Sequence, residues 1–178
     1  MTKKSSTWPA VLVDTREQRP WTFDGDICRT FEVSITTSRG TLDTGDYALA
    51  DAPEIARIER KSLGDFVSSV THEHDRFMRE MERLASYPVA CVMVEAELGE
   101  VVSRTREARP QSVVCSALKV CTDYRVPVIW GVSRPWAEWQ AAWMLKRAWE
   151  KRALERSWLD ALVERARAAF CEALDWSA

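Results

Sequence analysis

IERKSLGDF, residues 58–66, is where the chain changes period. Up to Lys61 the run EIARIERK (54–61) alternates like a half-buried strand, with Ile55 and Ile58 among its apolar members. Beyond it, Ser62 followed three residues later by Asp65 is a capping-box-like start, and LGDFVSSV reads as the first turns of a helix. Two acids and two bases sit across this junction: Glu59, Asp65, Arg60 and Lys61. Glu59 and Lys61 are two apart, so on a strand they project from one face. Either the strand end is solvated there, or the charges are gathered because something binds them.

On the N-terminal side, AVLVD (10–14) is a short apolar run closing on Asp14. REQRPWTF, broken by Pro20, is a loop, and TFEVSITT (30–37) alternates and is β-branched, which predicts a strand. Gly40 marks a turn, and TLDTGDYALA (41–50) reads as a strand broken at Gly45. On the C-terminal side, EHDRFMREMERLASY (73–87) places Phe77, Met81 and Leu84 at helical spacing until Pro88 stops it. VACVMVE (89–95) is an almost continuous apolar run of central-strand type. Pro110 opens a helix over QSVVCSALKVCTDY, and VPVIWG (126–131) is a last short strand. Strands first, then helix–strand–helix–strand, is the order of an α/β fold with a mixed central sheet flanked by helices. From residue 134 the pattern is helical throughout: Ala141, Leu145, Ala148 and Trp149 share one face, and Leu159, Leu162, Val163, Ala166, Phe170 and Leu174 another. The expected division is a domain over 1–133 and a helical C-terminal extension over 134–178.

The 178 residues are 46% hydrophobic, enough for one real core. No apolar run approaches the roughly 20 residues that span a bilayer, and MTKKSSTWPA has no apolar segment behind its basic start, so an intracellular location is expected. The net charge of −2 excludes nucleic-acid binding through bulk positive charge but not through a local basic surface. Cys28, Cys91, Cys115, Cys121 and Cys171 are scattered without a CxxC pair, which excludes a zinc knuckle and a disulfide framework. His72 and His74 in THEHD read as a polar loop.

Three acids end or interrupt strands: Asp14, Asp46 and Glu59. Asp46 precedes Glu59 by a distance a hairpin can close, and an acid followed by Glu-x-Lys on a neighbouring strand matches the PD-(D/E)xK nuclease arrangement in outline. Carboxylates of this kind hold a hard divalent cation that keeps some of its waters, as magnesium prefers. The metal acidifies a bound water and screens phosphate charge, and a lysine point charge positions that water or stabilises charge developing on phosphorus. The competing explanation is a solvated hairpin.

VDTRE (13–17), GDY (45–47) and ERKSLGD (59–65) occur in order, each at a strand edge. Together they reproduce Val-Asp-x-Arg-Glu, Gly-Asp and Glu-Arg-Lys-x3-Asp, and the chain over about 10–131 resembles the nuclease domain of the XPF/MUS family of structure-specific DNA endonucleases. The resemblance implies a restriction-endonuclease-like fold and metal-dependent hydrolysis of phosphodiesters in branched, forked or flapped DNA during repair, recombination or replication. It makes Asp14, Asp46 and Glu59 the metal-site acids, Lys61 the water-orienting base, and Arg60 and Asp65 a supporting charged pair. Arg16 and Glu17 belong to its first motif, with Arg16 expected at the DNA. The implied cofactor is Mg2+, with Mn2+ able to substitute. Arg76 matches a basic DNA-facing residue of the family helix, but four residues on the family often has Gln where this chain has the acid Glu80.

Many relatives continue into tandem helix-hairpin-helix motifs, whose hairpins need glycine. This chain has none after Gly131, so that module is not expected within 134–178. Trp136, Trp139, Trp143, Trp149 and Trp158 either pack on the core or across a dimer, or stack on bases at a DNA junction aided by Lys146, Arg147, Lys151 and Arg152. The family implies a homodimer or heterodimer, and compactness points to phage or mobile-element DNA metabolism. It also includes inactive partners, so the alternative function is a silent DNA-binding or scaffold subunit; those lose acids or the lysine, and this chain retains them.

Overall fold

The computed structural model describes residues 7–104 and 109–175; the side chains of Arg104 and of 168–175, and hence of Phe170, Cys171 and Leu174, lie outside the described set, as does the basic start at 1–6. Strand β1 (Val11–Asp14) pairs in parallel with β2 (Thr37–Gly40) and antiparallel with β3 (Tyr47–Leu49). β3 is antiparallel to β4 (Ala56–Lys61), which runs parallel to β5 (Val89–Val94), itself parallel to β6 (Val128–Trp130). The order β2-β1-β3-β4-β5-β6 makes the expected mixed sheet.

Helices cover both faces: α1 (Asp26–Thr30), α2 (Leu63–Thr71), α3 (His74–Leu84), α4 (Leu98–Arg104), α5 (Pro110–Asp123) and α6 (Arg134–Asp175). On one side Ile58, Cys91 and Met93 pack with Ala137, Ala141, Leu145 and Ala148 of α6. On the other, Val92 and Val94 pack with Phe66 of α2, Phe77, Met81 and Leu84 of α3, and Val113 and Val120 of α5. β5 therefore serves both cores, which is why its sequence runs apolar without alternation. The alanine face of α6 lets the helix lie close to the sheet. At Gly131 a methyl group would stand 2.5 Å from the Ala137 Cβ, so glycine there is set by packing. Beyond Ala148 the helix leaves the core, and Leu154, Trp158, Leu159, Leu162 and Val163 are exposed. No described helix is long and apolar enough to cross a membrane.

Two sequence expectations need correction. The segment 30–37 is not a strand: α1 ends at Thr30, Glu32 turns the chain at φ 54°, and β2 begins only at Thr37. Its alternation is real, since Val33 and Ile35 pack on the core, but the residues before Thr37 lack a strand ladder. In 41–50 only Tyr47–Leu49 is strand, because the preceding loop is pinned to β1 by side-chain bonds. The short helices α1 and α4 carry too few periodic residues to be foreseen.

Candidate active site

Gly45 adopts φ 73°, the left-handed region that glycine enters without strain, and delivers Asp46 between two strands. The Asp46 amide donates to the Ile58 carbonyl at 2.8 Å, and its carbonyl accepts from the Asp14 amide at 2.8 Å. One carboxylate oxygen, Oδ2, accepts from the Arg60 amide at 2.8 Å. Strand alternation sends Glu59 and Lys61 to the α2/α3 side of β4, with Lys61 Nζ 2.6 Å from Glu59 Oε1 and 3.8 Å from Glu80 Oε2 on α3. A cavity of about 290 Å³ opens here, lined by four acids (Asp43, Asp46, Glu59, Glu80) and four bases (Arg16, Lys61, Arg76, Arg83). Arg76, Glu80 and Arg83 reach it from one face of α3, being spaced at helical intervals of four and three.

Burial raises the pKa of Glu59, and the neighbouring Asp46 charge raises it further. Burial likewise raises Asp46, against the opposing bond from the Arg60 amide. Burial works against the Lys61 ammonium, but Glu59, and after it Glu80, hold its pKa above the usual lysine value. The pocket thus confines repelling carboxylates with one ammonium between them, a balance that an added cation would relieve. Asp46 and Glu59 supply oxygen donors only, the set a hard divalent cation takes while keeping several waters. Among the described residues no three His, Cys, Asp or Glu side chains close into a compact metal cluster.

The structure places the other expected residues differently. Asp14 is buried, and Arg16 takes Oδ1 at 2.7 Å and Oδ2 at 3.1 Å while the Leu42 amide takes Oδ2 at 2.7 Å. Burial would raise this carboxyl, yet the Arg16 and Leu42 bonds outweigh it and hold the pKa at about 2. Asp14 is not among the residues lining the cavity: it ties the 41–46 loop to β1. Arg60 and Asp65 do not pair with each other. Alternation turns Arg60 to the α6 side, where it bonds Glu17 at 2.9 Å and Glu95 at 2.9 Å, whereas Asp65 accepts the Ser62 hydroxyl at 2.7 Å and serves the start of α2. Glu95, the acid that closes the apolar run 89–95, also accepts from Trp21 Nε1 and from Arg134, each at 2.8 Å.

Of the expected DNA contacts, Arg16 and Arg76 line the cavity, each already bonded to an acid, Asp14 and Glu73 respectively. Lys146 is buried rather than turned to solvent, its ammonium 4.3 Å from the Trp8 ring and 4.9 Å from the Trp143 ring. Arg147 and Lys151 are exposed and paired with Glu150 and Glu155, beside Val89 at the start of β5, the end of the sheet away from Lys61. Trp136, Trp139, Trp143 and Trp8 meet edge to face in succession, Phe31 lies tilted against Trp136 and Trp139, Trp149 packs against the core, and Trp158 is exposed. Arg83 was not singled out in the sequence, although it follows Arg76 by seven residues on one helical face; no ion-pair partner of its side chain is seen among the described residues.

A sequence profile for the ERCC4 domain matches residues 13–140. The chain belongs to the ERCC4 domain family. Its fold is that of XPF from Aeropyrum pernix, with a TM-score of 0.63 at 22% identity over 88% of this chain and 73% of that one. XPF from Aeropyrum pernix in complex with DNA aligns with a TM-score of 0.61 at 26% identity, covering 81% of this chain and 66% of that one. Comparison with curated proteins found no match. The ERCC4-type profile spans β1 to the first turns of α6, so it takes in Asp14, Asp46, Glu59 and Lys61 together.

Proposed function

We propose that this ERCC4-domain chain is a divalent-cation-dependent DNA endonuclease that hydrolyses phosphodiester bonds in branched, forked or flapped DNA. The observation that carries the reading is one cavity lined by both kinds of charge: Asp46, just before β3, and Glu59 and Lys61 on β4, with Arg16 and, from α3, Arg76 and Arg83. Acids there suit a cation and bases suit phosphate oxygens. That the family neighbour from Aeropyrum pernix was solved in complex with DNA supports the same substrate class.

In this reading Asp46 and Glu59 hold Mg2+, or Mn2+ in its place, and Asp14 organises the loop that carries Asp46. When bound, the cation acidifies a water and neutralises phosphate charge. Lys61, kept charged by its acidic neighbours, acts as a point charge toward the developing negative charge rather than as a base. Arg76 and Arg83 align the scissile strand across the mouth. The chain works as a homodimer or heterodimer, for which the exposed Leu159, Leu162 and Val163 of α6 offer an apolar face, a point that light scattering of a Val163→Glu variant checks.

The test is cleavage of labelled linear duplex, splayed fork, flap and four-way junction with magnesium, manganese or EDTA. Wild type is expected to cut branched DNA only with metal, and Lys61→Ala and Asp46→Asn to remain folded without cutting. Tight fork binding by all three proteins, with no cleavage under any condition, would overturn the enzyme reading in favour of a scaffold.

A further inference from the structure

Lys61 stands between two carboxylates. Glu59 Oε1 is 2.6 Å from its ammonium and Glu80 Oε2 is 3.8 Å away. The near partner, Glu59, is the one that the proposed function gives to a cation. A carboxylate bound to a divalent cation no longer offers the same attraction to an ammonium, and the two positive charges repel. Lys61 must then find another counter-charge, or leave the pocket for solvent and lose its position. The side chain is mostly buried, with the Phe77 ring 5.7 Å from Nζ, so its movement is confined. Glu80 is the carboxylate within reach: it is itself largely covered, and the rigid helix α3 presents it to the same cavity.

We infer that Glu80 is a positioning residue that receives the Lys61 ammonium when a divalent cation takes Glu59, so that Glu80 lowers the cost of cation entry and keeps Lys61 aimed into the pocket. The inference rests on the cation reading of Asp46 and Glu59. No bond forms or breaks in this exchange; an ion pair changes partner. The ammonium occupying Glu59 is a built-in competitor for the cation, and Glu80 weakens that competitor. A neutral side chain at this position leaves Lys61 more firmly on Glu59.

The experiment measures Mn2+ binding without DNA, by calorimetry and by the electron paramagnetic resonance signal of the free ion, for wild type, Glu80→Gln, Lys61→Met and the double variant. Glu80→Gln is expected to weaken Mn2+ binding about fivefold, the worth of a partly covered ion pair. Lys61→Met, lacking the competitor, binds Mn2+ at least as tightly as wild type. In the Lys61→Met background Glu80→Gln has a clearly smaller effect, because what Glu80 acts through is gone. Glu80→Asp, which keeps the charge, recovers part of the loss. Equal effects of Glu80→Gln in both backgrounds would show Glu80 to be only a distant negative charge, and no effect in either would remove it from the site; both overturn the inference. Failure of wild type to bind Mn2+ at all would instead overturn the cation reading beneath it. Thermal unfolding in EDTA separates either result from loss of fold.

Discussion

Replacing Asp14 by Asn separates two roles that one acid could have. If Asp14 organises the 41–46 loop, its charge contributes stability, because the folded carboxyl is held at about 2 against an ordinary value of 3.8. A lowering of that size corresponds to roughly 2.5 kcal/mol at neutral pH. The Arg16 side chain is 66% exposed, so solvent screening reduces the figure to about 1–2 kcal/mol. The folded pKa is depressed, so this stabilisation is complete above the ordinary carboxylate range and is lost as pH falls through 4 toward 2. Urea unfolding of wild type and Asp14→Asn at pH 7, 5 and 3.5 is the assay. The variant is expected to be less stable by that amount at pH 7 and 5, with the gap narrowing at 3.5. Mn2+ binding should survive in Asp14→Asn and be lost in Asp46→Asn and Glu59→Gln, since both Asp14 oxygens already accept hydrogen bonds. Unchanged stability at pH 7 together with lost Mn2+ binding would refute this reasoning and return Asp14 to the metal.

Asp46→Asn should behave in the opposite sense. Its folded pKa is raised by burial, so ionisation costs stability as pH rises through that raised value; in EDTA at pH 8 the variant should melt above wild type, while Mg2+ should raise the melting temperature of wild type alone. Arg60→Ala takes from the buried Glu17 its guanidinium partner, while Glu95 keeps Arg134, and should lower stability by about 3 kcal/mol in denaturant titrations, because a buried charge that loses its partner costs more than the pair contributed. Arg83→Ala should reduce the salt slope of fork binding by about one, as loss of one phosphate contact does, whereas Lys146→Met should lower the melting temperature and leave that slope unchanged.

The alternation across Glu59, Arg60 and Lys61 and the capping pattern at Ser62 made the strand-to-helix junction legible, since both depend on neighbours a few residues apart. Asp46 could be brought to Glu59 on paper because one hairpin connects them. What could not be read depends on distant partners. Nothing local tells that Asp14 has an amide from Leu42 waiting for its second oxygen, nor that Glu95 faces Trp21 and Arg134 rather than solvent. Lys146 misled for the same reason. Its neighbours Arg147 and Lys151 are exposed, but helical phase alone could not place Trp8, more than a hundred residues earlier, over its ammonium.

The three charged residues Glu59, Arg60 and Lys61 divide according to the pleat, and the division explains how so much charge persists at one strand end. Glu59 and Lys61 face a cavity where the proposed cation and phosphate would complete their charge balance, so that side is incompletely satisfied in the free protein. Arg60 faces away into a saturated group with Glu17 and Glu95, itself anchored by Arg134 of α6. Its backbone amide meanwhile grips Asp46 on the cavity side. One residue therefore couples a fully paired network behind the sheet to the acid in front of it. The arrangement allows carboxylates whose proximity is unfavourable to be held by contacts that do not weaken when the pocket fills.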